Sequence, residues 1–472
     1  MAENSNLTPN NSHSESKTKG KALRQRVPRA SHSVWLPAFD RPDPISLLQH
    51  QDEGRIQDLL PIKYGRMLES PFTFLRGSAV VMAQDLSASP ATGIQAVVCG
   101  DAHLSNFGIF ATPERKLVFD INDFDETYIG PWEWDLKRLA ASAVVAGRDN
   151  GFKEKVCRGL AVTVADNYRK AMRRFAQEQT LDVWYYHVDV DDVQTVFKGA
   201  SKRAGKRSKK MVNKARTKTQ QRTLNKLTYF ENGRRRINHD PPLLVPLREM
   251  GFEKHYNEEE LKNLTERSVK DSWSQYLESL PPERRYLLRH YKIKDVALRV
   301  GGVGSVGTRC MIALLEGVKE NDALILQFKE AGKSVLEAYL GEGSYTSHGQ
   351  RVVIGQRLMQ ATSDIFLGWH TSLFTKRDFY WRQLKDMKGS AEISAMDEDS
   401  LKTYLGVCSF CLARAHARTG DDIAISAYLG KNNTFSRAIG DFAVAYADQT
   451  ERDYELLVKA VKKGSLPAER GI

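Results

Sequence analysis

The sequence predicts a mixed protein of the α+β class, in which strands and helices occupy separate stretches of the chain. Short runs rich in β-branched residues are grouped at residues 93–121 and 310–328, and each run is bounded by Gly, Pro or Asn. Segments with apolar residues spaced three to four apart occupy most of the other residues. Apolar residues make up 41% of the 472-residue chain, which is enough to form a large core.

The first half of the chain predicts a polar tail followed by helices around one hairpin. Residues 1–34 are rich in Ser, Asn and Lys, and we expect them to be disordered because they contain few large apolar groups. Residues 56–67 predict a helix and residues 93–99 a strand. Residues 106–110 and 116–121 predict a hairpin, because Pro113 between them suits a tight turn.

The remaining elements follow from the same periodicities. We expect a loop around Gly130 and Pro131, then helices over 134–144 and over most of 152–236 and 257–296. A Gly-rich loop at 300–307 precedes a second predicted hairpin, 310–315 with 323–328, and a further strand is expected at 351–354. From residue 397 the chain reads as helix. The predicted regions are a tail (1–34), a helical lobe (35–296) containing the hairpin segment 97–141, a β-rich lobe (297–395) and a C-terminal helical segment (396–472).

The positive charge of the chain is concentrated in one segment. The formal net charge is +12, but residues 198–236 contain 15 Lys or Arg and one acid, so the rest of the chain has a net charge of −2. This segment predicts a basic helix that binds nucleic acid or another anionic partner, or that lines a cleft and holds an anionic substrate. A solvated surface explains the pattern equally well.

Several features favour a cytoplasmic protein. No run approaches the ~18 apolar residues that a membrane-spanning helix needs. The N-terminus lacks the apolar core of a secretory signal. The five Cys residues are sparse and odd in number, as expected in a reducing compartment.

An acidic group around the first hairpin has the residue types that phosphoryl transfer needs. Asp101 and His103 precede the hairpin and are predicted catalytic residues, with Asp101 orienting and deprotonating a hydroxyl. Asn106, Asp123 and Asp125 are predicted oxygen ligands for Mg²⁺, because the hairpin doubles the chain back on itself. His103 would polarise a phosphate or hydrogen-bond the loop. An Asx-rich turn without a catalytic role is the alternative.

A Gly-rich loop and a later lysine supply the second half of such a site. Gly302, Gly304, Ser305 and Gly307 are predicted to lie over nucleotide phosphates, since glycine lets the backbone approach closely. Lys329, on the following strand, would neutralise those phosphates. A glycine-bulged hairpin with a solvated lysine is the alternative. Together the two halves predict a kinase-type active site that uses ATP and Mg²⁺.

Two further residues, Glu337 and Arg76, are predicted to support the site. Glu337 could pair with Lys329 from the next helix, although Glu330 and Glu342 remain open. Arg76 follows an apolar run, and it either binds an anion near the catalytic loop or pairs with a carboxylate as structural support, which we prefer.

The hairpin segment resembles the aminoglycoside phosphotransferases and related small-molecule kinases. Residues 100–106 (Gly-Asp-Ala-His-Leu-Ser-Asn) resemble their catalytic loop, in which the Asp is the base and the Asn a metal ligand. Asp123 falls where their metal-binding Asp follows the hairpin. Residues 130–136 resemble their Gly-Asp-Pro…Asp-Leu segment, which implies that Asp135 braces the catalytic loop from behind.

The order of the two halves differs from that of these kinases, whose Gly-rich lobe comes first. A circular permutation would reconcile the orders, with the catalytic half first, the nucleotide lobe second and helix 401–418 last. The resemblance thus implies a protein-kinase-like two-lobed fold in permuted order. Over nearly its whole length the sequence also resembles the bacterial domain-of-unknown-function 2252 family, at residues 70–77, 122–127, 326–331 and 413–421. That resemblance implies no activity.

Three functions therefore remain in view. The leading one is an ATP-dependent phosphotransferase that acts on a hydroxyl of an unknown small molecule or protein. The second is a metal-dependent phosphoesterase that uses Asp101, His103, Asp120, Asp123 and Asp125 and needs no Gly-rich loop. The third is a non-catalytic kinase-like scaffold that binds nucleic acid or an anionic partner through 198–236.

Overall fold

The computed structural model describes residues 11–250, 258–319, 321–384 and 387–472. The helices, with short 3₁₀ turns left aside, are α1 (His13–Arg26), α2 (Pro44–Asp52), α3 (Leu60–Met67), α4 (Pro71–Gly77), α5 (Ala79–Ser87), α6 (Trp132–Asp149), α7 (Glu154–Phe175), α8 (Thr180–Tyr185), α9 (Val190–Ala200), α10 (Lys202–Arg216), α11 (Gln220–Leu227), α12 (Glu258–Glu278), α13 (Pro282–Leu288), α14 (Glu337–Leu340), α15 (His348–Met359), α16 (Glu398–Thr419), α17 (Asp422–Leu429) and α18 (Thr434–Lys462). The strands are β1 (Gln95–Val98), β2 (Phe107–Ala111), β3 (Leu117–Ile121), β4 (Tyr128–Pro131), β5 (Thr228–Glu231), β6 (Arg234–Ile237), β7 (Leu244–Pro246), β8 (Tyr291–Arg299), β9 (Cys310–Gly317), β10 (Ala323–Ala331), β11 (Gly368–Thr371), β12 (Asp378–Gln383) and β13 (Gly389–Ser390). The predicted α+β class is confirmed.

The largest hydrophobic core lies among the long helices α6, α7, α16 and α18. Helix α6 is buried along almost its whole length, and its Trp132 stacks on Tyr168 of α7 with ring centroids 5.5 Å apart. Offset or stacked aromatic pairs of this kind stabilise a core beyond the area they bury. Because α6 follows the first hairpin directly while α16 comes late in the chain, this core holds early and late segments together.

Two small antiparallel sheets carry the acidic residues. Strands β2 and β3 form the predicted hairpin, with Phe107 opposite Ile121, and β13 pairs with the other edge of β2. Strand β1 pairs with β4, with Val98 opposite Tyr128. Residues 128–131 are therefore a strand where a loop was expected, because β1 offers their backbone an edge to pair with.

A six-stranded antiparallel sheet forms the second β-rich region, in the order β11-β12-β10-β9-β8-β7. The predicted hairpin of β9 and β10 lies at its centre. Lys329 on β10 faces Cys310 of β9 on one side and Tyr380 of β12 on the other. The register therefore fixes the lysine at the middle of the sheet.

Two predicted elements within this region are wrong. Residues 291–296, expected to be helical, are part of β8, because pairing with β9 decides between two periods that the sequence alone leaves open. The six-stranded sheet therefore includes β7 and the first part of β8, which precede residue 297, the predicted start of the β-rich lobe. Residues 351–354, expected to be a strand, belong to α15, whose N-terminus is capped by Ser347 accepting from the Gln350 amide at 3.1 Å.

The predicted disorder of residues 1–34 is also wrong over the part that the structure describes; residues 1–10 lie outside it. Helix α1 packs against α17, and a 3₁₀ turn over Arg29–Ser33 packs against α18. Arg24 donates to the carbonyl of Tyr428 at 3.0 Å and Arg29 to that of Leu429 at 2.8 Å. These cations satisfy the carbonyl groups at the end of α17, so a polar segment is ordered without a large apolar face.

Candidate functional site

The two halves of the predicted site line one cavity of about 280 Å³ between the hairpin region and the six-stranded sheet. The predicted residues that line it are Arg76, Asp101, His103, Asn106, Asp123, Asp125, Gly302, Gly304, Ser305 and Lys329. Gly307, Glu337 and Asp135 do not line it. A cavity of this size is near the lower limit for small-molecule sites, and its lining is mainly polar.

The loop after β1 holds Asp101 in a fixed position. Gly100 has a φ of +76°, and a Cβ there would lie 2.3 Å from the Glu126 carbonyl oxygen, so only glycine fits. Arg138 of α6 pairs with Asp101 Oδ1 through its Nη2 at 2.7 Å. Asn106 donates from Nδ2 to the Asp101 carbonyl at 2.6 Å, which leaves its Oδ1 as the atom able to bind a cation.

His103 is a buried, neutral member of the same loop. Its Nδ1 accepts from the Ser105 amide at 3.2 Å, and its Nε2 lies 3.6 Å from Asp101 Oδ2, beyond hydrogen-bond range. Burial, together with the charges of Arg76 and Arg138, holds the pKa of His103 well below its usual range. His103 therefore adds no positive charge, and Asp101 Oδ2 remains available to a substrate.

Asp135 lies behind this loop. Its Oδ2 accepts from the Cys99 amide at 2.8 Å and its Oδ1 from the Gly100 amide at 3.0 Å. His416 of α16 approaches Oδ2 with Nε2 at 3.3 Å, and its other nitrogen lies 2.8 Å from the Tyr168 hydroxyl. The geometry matches the bracing position that the sequence predicted for Asp135. His416 is a buried link in this network.

The segment after β3 presents Asp123 and Asp125 to the cavity. The Asp125 amide donates to Asp123 Oδ1 at 3.3 Å, while Phe124 between them is buried in the core. Burial and the charge of Asp125 raise the pKa of Asp123, and Lys329 opposes this effect. Asp123 is thus a carboxylate whose charge favours a nearby cation.

Lys329 is joined to this acidic segment directly. Its ammonium, 4% exposed, pairs with Asp125 Oδ2, and the Tyr380 hydroxyl donates to Asp125 Oδ1 at 2.7 Å. Burial alone would raise the pKa of Asp125, but Lys329 and Tyr380 lower it below the usual value. Both oxygens of Asp125 are engaged, so we assign Asp125 as the partner of Lys329. Asn106 and Asp123 then remain as the candidate metal ligands.

The glutamates considered as partners of Lys329 lie elsewhere. Glu337 accepts from the Ser334 amide at 2.9 Å and lies 3.7 Å from Arg351 Nε. Glu330 pairs with Arg309 at 3.1 Å and with Arg377. The predicted pairing of Lys329 with Glu337 is therefore wrong, because Lys329 pairs with Asp125 of the acidic segment after β3.

The Gly-rich loop is held from the N-terminal helices. Arg55 donates to the carbonyls of Gly304 at 2.9 Å and Val306 at 2.6 Å, and Arg66 donates to that of Gly301. Gly307 has a φ of +87° and accepts from the Ile56 amide at 2.7 Å. Gly302 has open space where a side chain would project. The loop thus presents Gly301, Gly302 and Gly304 to the cavity, and its carbonyl groups at Gly301, Gly304 and Val306 accept from arginines.

Asp120, part of the phosphoesterase alternative, does not line the cavity. It is 4% exposed, and both of its oxygens accept from Arg414 Nη2, at 2.8 and 2.9 Å. It forms a buried structural ion pair.

The comparisons with known proteins identify the family. Residues 55–460 match the family model described as "Uncharacterized protein conserved in bacteria (DUF2252)". The chain belongs to this family. No curated protein and no solved structure matches it.

In this DUF2252 chain, the donor set fits a magnesium ion. Among the described residues, no three His, Cys, Asp or Glu side chains come together as a metal-binding group. Mg²⁺ needs fewer, since it is bound by one or two carboxylates together with substrate phosphates and water. Asp123 and the Asn106 amide oxygen supply such a set.

The basic segment lies outside the cavity. Helix α10 buries Ala204, Ser208 and Val212 and leaves most of its Lys and Arg exposed. The segment ends in the β5–β6 hairpin rather than in helix. None of its described Lys or Arg side chains lines the cavity, so the hypothesis that it lines the cleft is wrong, and an anionic partner on its surface stays a prediction.

Several cavity residues carry no signal in the sequence. Arg299 and Arg382 come from elements far apart in the chain, and Glu126 follows the acidic segment. Burial raises the pKa of Glu126 to about 7, while the Val335 amide, which it binds at 2.8 Å, opposes this. Only the proximity of Glu126 to Asp125 in the sequence could have pointed to it.

Searched over the described residues, the chain contains no helix that could cross a bilayer.

Proposed function

We propose that the protein is a Mg²⁺-dependent phosphotransferase that moves the γ-phosphoryl group of ATP to a hydroxyl group of a small molecule or protein. The observation that carries this proposal is the pairing of Lys329 with Asp125 across the cleft. It brings the lysine strand and the Gly-rich loop into one cavity with Asp101, Asn106 and Asp123. A kinase-type site requires these parts together.

Each residue then has a defined task. Asp101 Oδ2 accepts the proton of the acceptor hydroxyl, while Arg138 holds Oδ1. The hydroxyl oxygen forms a bond to the γ-phosphorus, the bond from that phosphorus to the β–γ bridging oxygen breaks, and ADP leaves. Lys329 and the amides of Gly302 and Gly304 neutralise the phosphate oxygens.

Asn106 and Asp123 would hold Mg²⁺ against the phosphates. The ion supplies positive charge that stabilises the departing phosphate. Arg382, whose guanidinium interacts electrostatically with Asp123 and Asp125, contributes further charge from β12.

A permuted kinase-like arrangement is the second part of the proposal. Its support is the succession β8, Gly-rich loop, β9 and lysine-bearing β10, with α16 afterwards. The Tyr404 hydroxyl of α16 interacts with the carbonyls of Leu104 at 3.0 Å and Phe107 at 3.1 Å, so this late helix packs on the catalytic loop. The phosphoesterase alternative has less support, because both carboxylate oxygens of Asp120 accept from Arg414 and Asp120 does not line the cavity.

The test is to measure MgATP binding and phosphoryl transfer in three variants. Asp101→Asn should bind MgATP as the wild type does but lose turnover by roughly 100-fold or more. Lys329→Met should weaken MgATP binding about tenfold, and Gly304→Val should also weaken it, because the added side chain would lie against the Arg76 carbonyl at the wall of the cavity. Gly159→Val is the control, since an added side chain there, on α7, meets open space outside the cavity.

Two results would reject the proposal. One is wild-type turnover in Asp101→Asn. The other is hydrolysis of phosphomonoesters that Lys329→Met and Gly304→Val leave intact, which would favour the phosphoesterase.

A further inference from the structure

Arg76 is a cation in the cavity without a partner. It lies in the last turn of α4, and its guanidinium makes no hydrogen bond or ion pair with any described residue. Its Nε is fully buried and unsatisfied. The structural pairing with a carboxylate that the sequence favoured is therefore wrong.

A buried guanidinium in this state needs an explanation. Burial lowers the pKa of Arg76, and the negative charge of Asp101 opposes this. The nearest catalytic carboxylate is nevertheless committed to another arginine, Arg138. Buried polar groups are nearly always paired, and an exception often marks a position that a ligand ion fills. The chemistry that matches a planar, five-donor fork is a phosphate or carboxylate group.

Arg76 lies between the catalytic loop and the Gly-rich loop, where its carbonyl oxygen would be 3.5 Å from a Cβ on Gly304. Arg76 is close enough to Asp101 and His103 to affect both electrostatically. It also lines a second cavity, which Lys329 does not line and whose other lining residues include Thr73, Ser105 and the carboxylates Glu69, Asp149 and Glu392. A molecule entering from this second cavity meets Arg76 before it reaches Asp101.

We propose that the hydroxyl acceptor is itself an anion, a phosphomonoester or carboxylate of an alcohol, and that Arg76 binds its anionic group. This inference rests on the phosphotransferase function proposed above. It assigns Arg76 to acceptor binding, which orients the hydroxyl toward Asp101 Oδ2.

The experiment measures the binding of inorganic phosphate to the full chain saturated with Mg²⁺ and the non-hydrolysable ATP analogue AMP-PNP. The analogue occupies the γ-phosphate position, so added phosphate reports a different site. We expect the wild type to bind phosphate saturably. The phosphate affinity of Arg76→Met should be lower by about tenfold or more, and that of Arg76→Lys should be intermediate. Affinity for AMP-PNP should be unchanged in all three. Arg289→Met, at an exposed arginine between α13 and β8, is the control and should behave as the wild type.

A transfer assay adds a second readout. Glycerol 3-phosphate and glycerate present the same hydroxyl as glycerol but carry an anion. Transfer to either should exceed transfer to glycerol in the wild type, and the difference should disappear in Arg76→Met.

Three outcomes would overturn the assignment. The first is no phosphate binding to the wild type, with or without the analogue. The second is a loss of AMP-PNP affinity in Arg76→Met as large as the loss of phosphate affinity, which would place Arg76 on the nucleotide. The third is a melting temperature of Arg76→Met more than about 5 °C below the wild type, which would reveal a structural partner. If Arg76→Met does not fold, unchanged phosphate affinity in Arg76→Lys overturns it. If the protein does not bind AMP-PNP but binds phosphate in a way that depends on Arg76, the proposed phosphotransferase function is rejected and the anion-binding role of Arg76 is retained.

Discussion

Replacing Lys329 by methionine tests the contact that joins the two halves of the site, independently of any nucleotide. Removing one member of a buried ion pair costs roughly 3–5 kcal/mol. The loss should be smaller here, because the Asp125 side chain is 29% exposed and keeps its hydrogen bond from Tyr380. We therefore expect Lys329→Met to lower the free energy of unfolding by about 2 kcal/mol at pH 7. Chemical denaturation measures it, and Lys333→Met, at an exposed lysine nearby, should stay within about 0.5 kcal/mol of the wild type.

The pH dependence of this loss follows from the pKa of Asp125. In the wild type that pKa is lowered, so the contribution of Asp125 to stability is present above about pH 4 and is lost as the pH falls through the folded-state value. Without Lys329 the effect of burial dominates and the pKa of Asp125 rises. The stability difference between wild type and Lys329→Met should therefore be largest at neutral pH and shrink below about pH 4.

A double-mutant cycle makes the test decisive. Asp125→Asn removes the charge and retains an oxygen for Tyr380, so the cycle with Lys329→Met isolates the interaction between the two residues. We expect a coupling of about 1–3 kcal/mol. Additive effects, with a coupling under about 0.5 kcal/mol, would mean that the two side chains do not hold the lobes together.

Two further predictions concern residues around the catalytic loop. Asp135→Asn should lower the unfolding free energy by about 2 kcal/mol, because its amide offers a donor where the amides of Cys99 and Gly100 need acceptors; chemical denaturation measures this. The raised pKa of Glu126, about 7, makes its contribution to stability fall as pH rises from about 4.5 to 7. Glu126→Gln, which can still accept from the Val335 amide, should therefore gain melting temperature relative to the wild type at pH 8 but not at pH 4.5, and an equal shift at both would contradict this sign.

The sequence was most informative where the site residues lie close together along the chain. Asp101, Asn106 and Asp123 fall within one hairpin unit, so local spacing was enough to predict that they share a cavity. Lys329 and the Gly-rich loop were also predictable as a unit, because a strand pair follows the loop immediately. The prediction that the two units face one cavity came from the parts that a kinase-type site needs, because about 200 residues separate them and no local spacing joins them.

The residues that brace the loop could not be found in this way. Arg138 and Tyr404 contact residues 101–107 from helices α6 and α16, and His416 of α16 contacts Asp135 behind the loop. The spacing of these three residues marks them only as positions on helices. The order of the N-terminal segment was missed for the same reason. Composition predicts disorder where apolar groups are few. Arg24 and Arg29 are instead held by hydrogen bonds to carbonyl groups of Tyr428 and Leu429, about 400 residues later in the chain.

The partner of Lys329 has a consequence for what the cavity can bind. A lysine paired with a helix glutamate would leave Asp125 as an extra negative charge beside the phosphates. Here Asp125 offsets part of the charge of Lys329 before any ligand arrives, so an incoming polyanion needs other cations besides this lysine. The cationic side chains that line the cavity besides Lys329 are Arg55, Arg76, Arg299, Arg382 and Lys388. Arg55 is already committed to Asp52 and to the Gly-rich loop, and Arg382 faces the two aspartates. The cavity lining holds six cationic side chains and four carboxylates (Asp101, Asp123, Asp125 and Glu126), so its net charge suits an anionic ligand, and Arg76 lies at the catalytic side, where the acceptor would bind.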